Sequence, residues 1–119
     1  MNVAVIGASD DPERYSYMAV KLLKEKGHTV FPVHKRIKEI DGIKVFPSIN
    51  DIAGPVDTVS LYVAADISTT LSKDIFCKDP RRIIFNPGAE NQEFSAQAKA
   101  KGIVPVNGCT LVMLRTGQF

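Results

Sequence analysis

Apolar positions in this chain come alternately as short continuous runs and as helical stripes. The run Val3-Ala4-Val5-Ile6 breaks into Gly7-Ala8-Ser9, and an amphipathic pattern then begins that ends at Gly27. Within it Met18, Ala19, Leu22 and Leu23 share one face, with Lys21, Lys24 and Glu25 opposite. Gly27 stands where a glycine closes a helix. Thr29 to Val33 predicts a buried second strand, and residues 34–44 read as a polar, basic loop with an Asp41-Gly42 turn. Val45-Phe46 predicts a short third strand closed by Pro47, with a helical turn over Ser48 to Ala53. Asp57 to Val63 suits an interior parallel strand. Ile67, Leu71 and Ile75 recur every fourth residue as the stripe of a helix. Arg82 to Phe85 and Ile103 to Val106 predict the last strands, with a helix anchored by Phe94 and Ala98 between them. Thr110 to Leu114 predicts a short closing helix.

Strands separated by helices imply right-handed βαβ crossovers. The predicted architecture is α/β: a doubly wound parallel sheet in order 3-2-1-4-5-6, its third strand very short, with helices on both faces. The sequence holds no repeat, linker or low-complexity segment, and 119 residues suit one domain over 1–119. In such a sheet ligands sit at the carboxyl ends of the strands, so function is expected in the loops there.

Composition narrows the classes. Apolar residues make up 45% and charged residues 24%, the balance of an ordinary globule. A net charge of +2 without a dense Lys/Arg stripe implies no nucleic-acid partner. No apolar stretch approaches the roughly 18–20 residues of a membrane span. The N-terminal run is too short for a signal peptide, so a cytoplasmic chain with no membrane role is expected. Cys77 and Cys109 lack C-x-x-C spacing and read as free thiols.

The candidate chemistry begins at Gly7. A glycine turn between strand and helix exposes backbone N–H groups beside a positive dipole end, which suits a phosphate. Only the first glycine of G-x-G-x-x-G is present, and Ser9 holds the place of the second. Ser16 is a candidate N-cap, with Asp11-Pro12 as a competing start. Arg14 offers a bidentate grip on phosphate, against the alternative of pairing with Asp10 or Glu13. Nicotinamide enzymes place an acidic residue after the second strand, where this chain has His34-Lys35-Arg36. That cluster suits an extra ribose phosphate, the 2′-phosphate of NADP or the 3′-phosphate of coenzyme A, unless it is a solvated loop. In Asn86-Pro87-Gly88-Ala89-Glu90-Asn91, Gly88 allows close backbone approach and Asn91 can cap the next helix. Glu90 is either a first-turn carboxylate that complements the helix dipole or a site residue, and taken alone it reads as the former. Cys109 would need a base to act as a nucleophile, and the histidines are His28 and His34. No metal-ligand cluster, nucleophile elbow, Walker lysine or paired carboxylates are present.

The segments VAVIGAS with Arg14 and Ser16, FPVHKRIKEIDGIKVFPSINDI, VDTVSLYV, FNPGAENQEF and PVNGCT resemble those of the small bacterial CoA-binding proteins. These are single-domain relatives of the CoA-binding domain of succinyl-CoA synthetase α subunits. The resemblance covers essentially the whole chain, and its second segment is the most specific. It implies a Rossmann-like fold that binds coenzyme A or acyl-CoA as a small-molecule ligand. It implies a phosphate loop at Gly7, Ala8, Ser9, Arg14 and Ser16, and a second-strand loop at Pro32, Val33, His34 and Lys35. Val63 and Ala64 follow the fourth strand, and Pro87, Gly88 and Glu90 form the glycine turn. Two features depart from the family pattern. His34-Lys35 stands where Asn-Pro is usual, and Phe85-Asn86-Pro87 stands where an aromatic and Gln often precede the glycine. Neither the phosphohistidine domain nor the grasp domain of the larger enzymes is expected within these 119 residues. The expected function is a stand-alone binding module without catalysis of its own. The alternatives are an NADP-type oxidoreductase fragment, or a partner subunit of an acyl-CoA synthetase.

Overall fold

Strand β1 (Asn2–Ile6) organises the fold because it is apolar on both faces. Side chains alternate across a strand. Val3 and Val5 therefore join one core layer while Ala4 and Ile6 join the other. The computed structural model describes residues 1–119. After β1 come α1 (Tyr15–Glu25), β2 (Thr29–Val33), β3 (Glu39–Ile40), β4 (Ile43–Lys44) and a 3-10 turn (Ile49–Asp51). The chain continues through β5 (Thr58–Leu61), α2 (Ala65–Lys78), β6 (Arg82–Phe85), α3 (Gln92–Ala100), β7 (Val104–Asn107) and α4 (Thr110–Arg115).

The main sheet has five strands in the order β2-β1-β5-β6-β7, all parallel. It is a Rossmann-like, doubly wound arrangement, as the alternation of elements predicts. Val20, Leu23 and Leu114 cover the Val3 and Val5 face from α1 and α4. Ile75, Phe94 and Ala98 cover the Ala4 and Ile6 face from α2 and α3. There Phe94 meets Phe85 and Phe76 edge to face, with centroids 5.4 and 5.2 Å apart.

The predicted third strand shrinks to a point. Phe46 keeps the expected place beside β2 but forms a single parallel bridge to Val33. The reason lies just upstream, where residues expected to be loop form the β3–β4 hairpin. Asp41 and Gly42 turn it with φ of +45° and +79°, the left-handed pair that a two-residue hairpin favours. Asp41 accepts the Tyr17 hydroxyl and pairs with Lys21 Nζ at 2.7 Å, so the hairpin is clasped to α1.

Both edge strands carry proline at an outward position. The Pro32 carbonyl accepts Phe46 N–H at 2.9 Å, so the backbone of that residue faces away from β1. On β7, Val104 N–H turns inward to the Arg81 carbonyl at 3.1 Å, and the alternation points Pro105 outward.

A buried polar knot fixes the C-terminal ends of β5 and β6. Asn86, 1% exposed, donates to Ser60 Oγ at 2.9 Å and to the Leu61 carbonyl at 2.8 Å. Its Oδ1 accepts Thr110 N–H at 2.8 Å, while the Ser60 and Thr110 hydroxyls pair at 2.8 Å. Every polar atom of that amide has a partner, which is what burial demands.

Candidate functional site

At the end of β1 the chain turns through Gly7, whose φ is +85°. The N–H groups of Gly7 and Ala8 both donate to the Val33 carbonyl, at 3.2 and 3.3 Å. They tie the turn to β2 and are not the free donors that the sequence suggests. The following loop closes on itself. Asp11 N–H donates to Ser9 Oγ, Glu13 N–H to Asp11 Oδ1, and Arg14 N–H to the Asp11 carbonyl, each at 3.0 Å. Neither expected cap is used. Ser16 lies buried in the first turn of α1, and the N-cap is Arg14, whose side chain makes no capping bond. The first helical bond is Met18 N–H to the Arg14 carbonyl at 3.1 Å, so the N–H groups ahead of it are uncapped. These groups open on a groove of about 450 Å³ lined by Gly7, Ala8, Ser9, Arg14, Tyr15, Ser16, His34, Tyr62 and Val63.

A second cavity, of about 550 Å³, adjoins it. Ile6 and Val33 form its floor, Pro47, Ser48 and Ile49 one side, and Ile67, Thr70, Leu71 and Asp74 of α2 the other. Lys35 and Arg36 stand at the rim. Gly7, His34 and Val63 line both spaces, which therefore meet at these residues. The structure's one ion pair is Lys21–Asp41, so Arg14, Lys35 and Arg36 have no carboxylate partner, and neither has Asp74. The bland alternative for Arg14, pairing with Asp10 or Glu13, is absent.

The structure thus gathers most residues expected at the site: Gly7, Ala8, Ser9, Arg14, Ser16, Val33, His34, Lys35 and Val63. Others lie outside both spaces. Pro32 is buried within β2, and Ala64 is exposed at the N-cap of α2. Pro87 and Gly88 are exposed, and Glu90 Oε1 accepts Gly88 N–H at 2.9 Å, which tightens its own turn. Asn91 caps α3 as expected, its Oδ1 accepting Phe94 N–H at 3.0 Å. Its Nδ2 also reaches Ser68 Oγ and Thr69 Oγ1, both at 2.9 Å, strapping α3 to α2. Sequence reasoning missed the whole α2 wall. The signal was there in the Ile67–Leu71 stripe, half of which, Ile67, is left 49% exposed at the cavity.

Two titratable side chains define the local chemistry. The Tyr62 hydroxyl is buried without a hydrogen-bond partner. Burial pushes its phenol up to about 12, and the nearby Thr110 and Ser60 hydroxyls, which bond each other and not the phenol, hold the rise back only in part. The His34 ring is engaged by backbone: Nδ1 accepts Arg36 N–H at 3.0 Å and Ile37 N–H at 3.2 Å. Cys109 is half-buried at the start of α4. His28 is committed elsewhere, to the Met1 amine at 3.1 Å and the Phe119 ring at 5.1 Å. No group of three or more His, Cys, Asp or Glu residues is placed to hold a metal. No helix is long and apolar enough to cross a membrane.

The parallel sheet, the glycine turn into an uncapped helix and the groove at the strand ends define a Rossmann-like α/β domain with an anion-receptive crevice. A profile of the CoA binding domain family matches residues 1–115, and the chain belongs to that family. The Bacillus subtilis protein YneT is 30% identical over 100 residues, covering 84% of this chain and 74% of YneT. The alpha subunit of ADP-forming acetate–CoA ligase II from Pyrococcus furiosus is 44% identical over 62 residues. That match spans 51% of this chain but 14% of the subunit. The crystal structure of an uncharacterized protein superposes with a TM-score of 0.93 at 39% identity, covering 99% of this chain and 97% of that one. The family likeness therefore reaches archaea and is not confined to bacteria.

Proposed function

We propose that this chain, acting in the cytoplasm as a single domain, binds coenzyme A or an acyl-CoA and does no catalysis of its own. The observation that carries the reading is the meeting, at His34, of an anion groove and an apolar cavity with cationic edges. The diphosphate takes the uncapped N-terminus of α1, where the helix dipole and the unpaired Arg14 favour negative charge. The base and ribose fill the apolar cavity, and the third phosphate of the ligand meets Lys35 and Arg36 at its rim. The pantetheine arm runs past Val63 and Ala64 toward Pro87, Gly88 and Glu90. Gly7 holds the two spaces together, because a side chain there would collide with Val63 and the Tyr62 peptide and push Val63 out of place.

Thioester chemistry needs a nucleophile or activated water with a base in reach. Nδ1 of His34 is occupied by two backbone donors, which removes it as a proton acceptor. Calorimetric titration with CoA, dephospho-CoA, NADP and NAD tests the reading. CoA should bind tightest; preference for NADP, or no CoA binding, would refute it. Thioester consumption over hours by wild type and Cys109→Ser tests the absence of catalysis. Multiple turnovers lost in Cys109→Ser would make the chain an enzyme.

The ligase likeness favours a second reading, in which the chain completes an acyl-CoA synthetase in trans. Retention of a grasp-domain subunit by the immobilised chain, with thioester formed only by the pair, would support it.

A further inference from the structure

We propose that His34 is the neutral, direction-setting donor of the site: its Nδ1 holds the Lys35–Arg36 turn while its Nε2–H binds an oxygen of the ligand's diphosphate. The role rests on the coenzyme reading above and adds a function for a residue that departs from the family pattern. Nδ1 receives two N–H groups, from Arg36 at 3.0 Å and from Ile37 at 3.2 Å. A nitrogen that accepts two donors carries no proton, so the ring proton sits on Nε2. The backbone holds the other side of the residue, His34 N–H donating to the Phe46 carbonyl at 3.0 Å. The imidazole is therefore fixed at both ends before any ligand arrives.

Its position gives that fixed donor a use. Only Gly7, His34 and Val63 line both spaces, and of these His34 alone has a polar side chain. A ligand that lays its diphosphate on α1 and its base in the apolar cavity must pass this point between the two. Arg14, Lys35 and Arg36 supply charge from exposed side chains with many rotatable bonds, whereas a neutral N–H of fixed direction supplies registration. The same ring sets where Lys35 and Arg36 start, because its bonds fold the segment that carries them.

The test separates the turn from the donor. In His34→Asn the short side-chain oxygen can still accept an N–H two residues on, as in an Asx turn, but nothing reaches as far as Nε2. In His34→Ala both are lost. Hydrogen exchange of the Arg36 amide should stay slow in His34→Asn and quicken in His34→Ala. CoA and dephospho-CoA should both bind His34→Asn about tenfold more weakly, since the donor meets the shared diphosphate. Nitrogen NMR of the free wild type should show a bare Nδ1 and a protonated Nε2, with the Nε2–H resonance moving when ligand is added. A proton on Nδ1, or unchanged affinity in His34→Asn, would overturn the proposal. If wild type binds neither coenzyme, the coenzyme reading falls and inorganic pyrophosphate decides the His34 role alone. Weaker pyrophosphate binding by His34→Asn supports it; equal binding, or none by either protein, overturns it.

Discussion

Replacing Gly7 with alanine probes the point on which the crevice turns. At φ of +85° an L side chain is strained, at a cost of about 1–2 kcal/mol. The new Cβ would also come within 2.9 Å of Val63 Cγ1 and 3.2 Å of the Tyr62 carbonyl carbon and oxygen. Val63 can rotate aside, but the Tyr62 backbone is held by its N–H bond to the Ile6 carbonyl at 2.9 Å. Forcing a methyl into such a contact costs about 1–3 kcal/mol more. Stiffening of the unfolded chain offsets about 0.4–1 kcal/mol. The net loss is centred near 3 kcal/mol, or a Tm lowered by roughly 10 °C. Gly88 supplies the control: its φ is +90°, yet nothing lies within 4 Å of an added Cβ, so Gly88→Ala bears the strain without the collision. Urea unfolding of wild type and both variants, followed by circular dichroism, measures the difference. If Gly7→Ala loses no more stability than Gly88→Ala, the close approach of Gly7 to the Tyr62 peptide is not what its position demands. CoA affinity, measured well below the melting transition, should fall as well, because the displaced Val63 lines both halves of the crevice.

Lys35→Ala should weaken CoA at least about tenfold while sparing dephospho-CoA, as loss of a charge-assisted contact implies; equal losses in titration would dissociate Lys35 from the ribose phosphate. Tyr62→Phe removes a buried hydroxyl without a partner and should cost no stability near neutral pH, in contrast to most core changes. In wild type the folded phenol titrates at about 12 against an ordinary 10, so its contribution is complete below pH 10 and is lost as pH rises toward 12. The variant should lack that alkaline loss, on the order of 2–3 kcal/mol, in denaturation series on either side of the window. Asn86→Ala strands the Thr110 N–H, takes one of two donors from the Leu61 carbonyl and removes the bond to Ser60, and should cost about 2–4 kcal/mol by the same unfolding assay; a cost under about 1 kcal/mol would mean that water replaces the amide.

The strands and helices of the main sheet were legible because each burial pattern has its own period. Val3 to Ile6 and Ile83 to Phe85 are apolar on both faces, which only an interior strand requires. The β3–β4 hairpin was not legible as strand, since two residues on each side of Asp41-Gly42 are too few to show alternation. Only its turn announced itself. The helix start at Arg14 defeated cap rules for a physical reason. Those rules look for a side chain that satisfies the first N–H groups, whereas here the groups are left open to the groove. Much of the site was visible as loops after strands, but its far wall was not. Periodicity says that Ile67 and Leu71 share a face, and it does not say that Pro47, Ser48 and Ile49 stand across a gap from them. The glycine turn at Pro87 to Glu90 was legible as a loop after a strand, but its composition does not say that it stands outside both spaces, nor that Glu90 also braces its own turn.

The outward prolines of the two edge strands bear on how such a domain travels between proteins. A free strand edge invites any passing extended chain to add to it, in a crowded cell or in a longer polypeptide. Here Pro32 has no hydrogen to offer and its carbonyl is already taken by Phe46, and Pro105 interrupts the other border. The sheet is finished at both margins without help from a neighbour. A module closed in this way can be appended to, or cut from, a larger chain without acquiring an unwanted strand. Its encounters are then left to its helices and to the loops around the crevice, where recognition depends on side chains and not on indiscriminate backbone pairing.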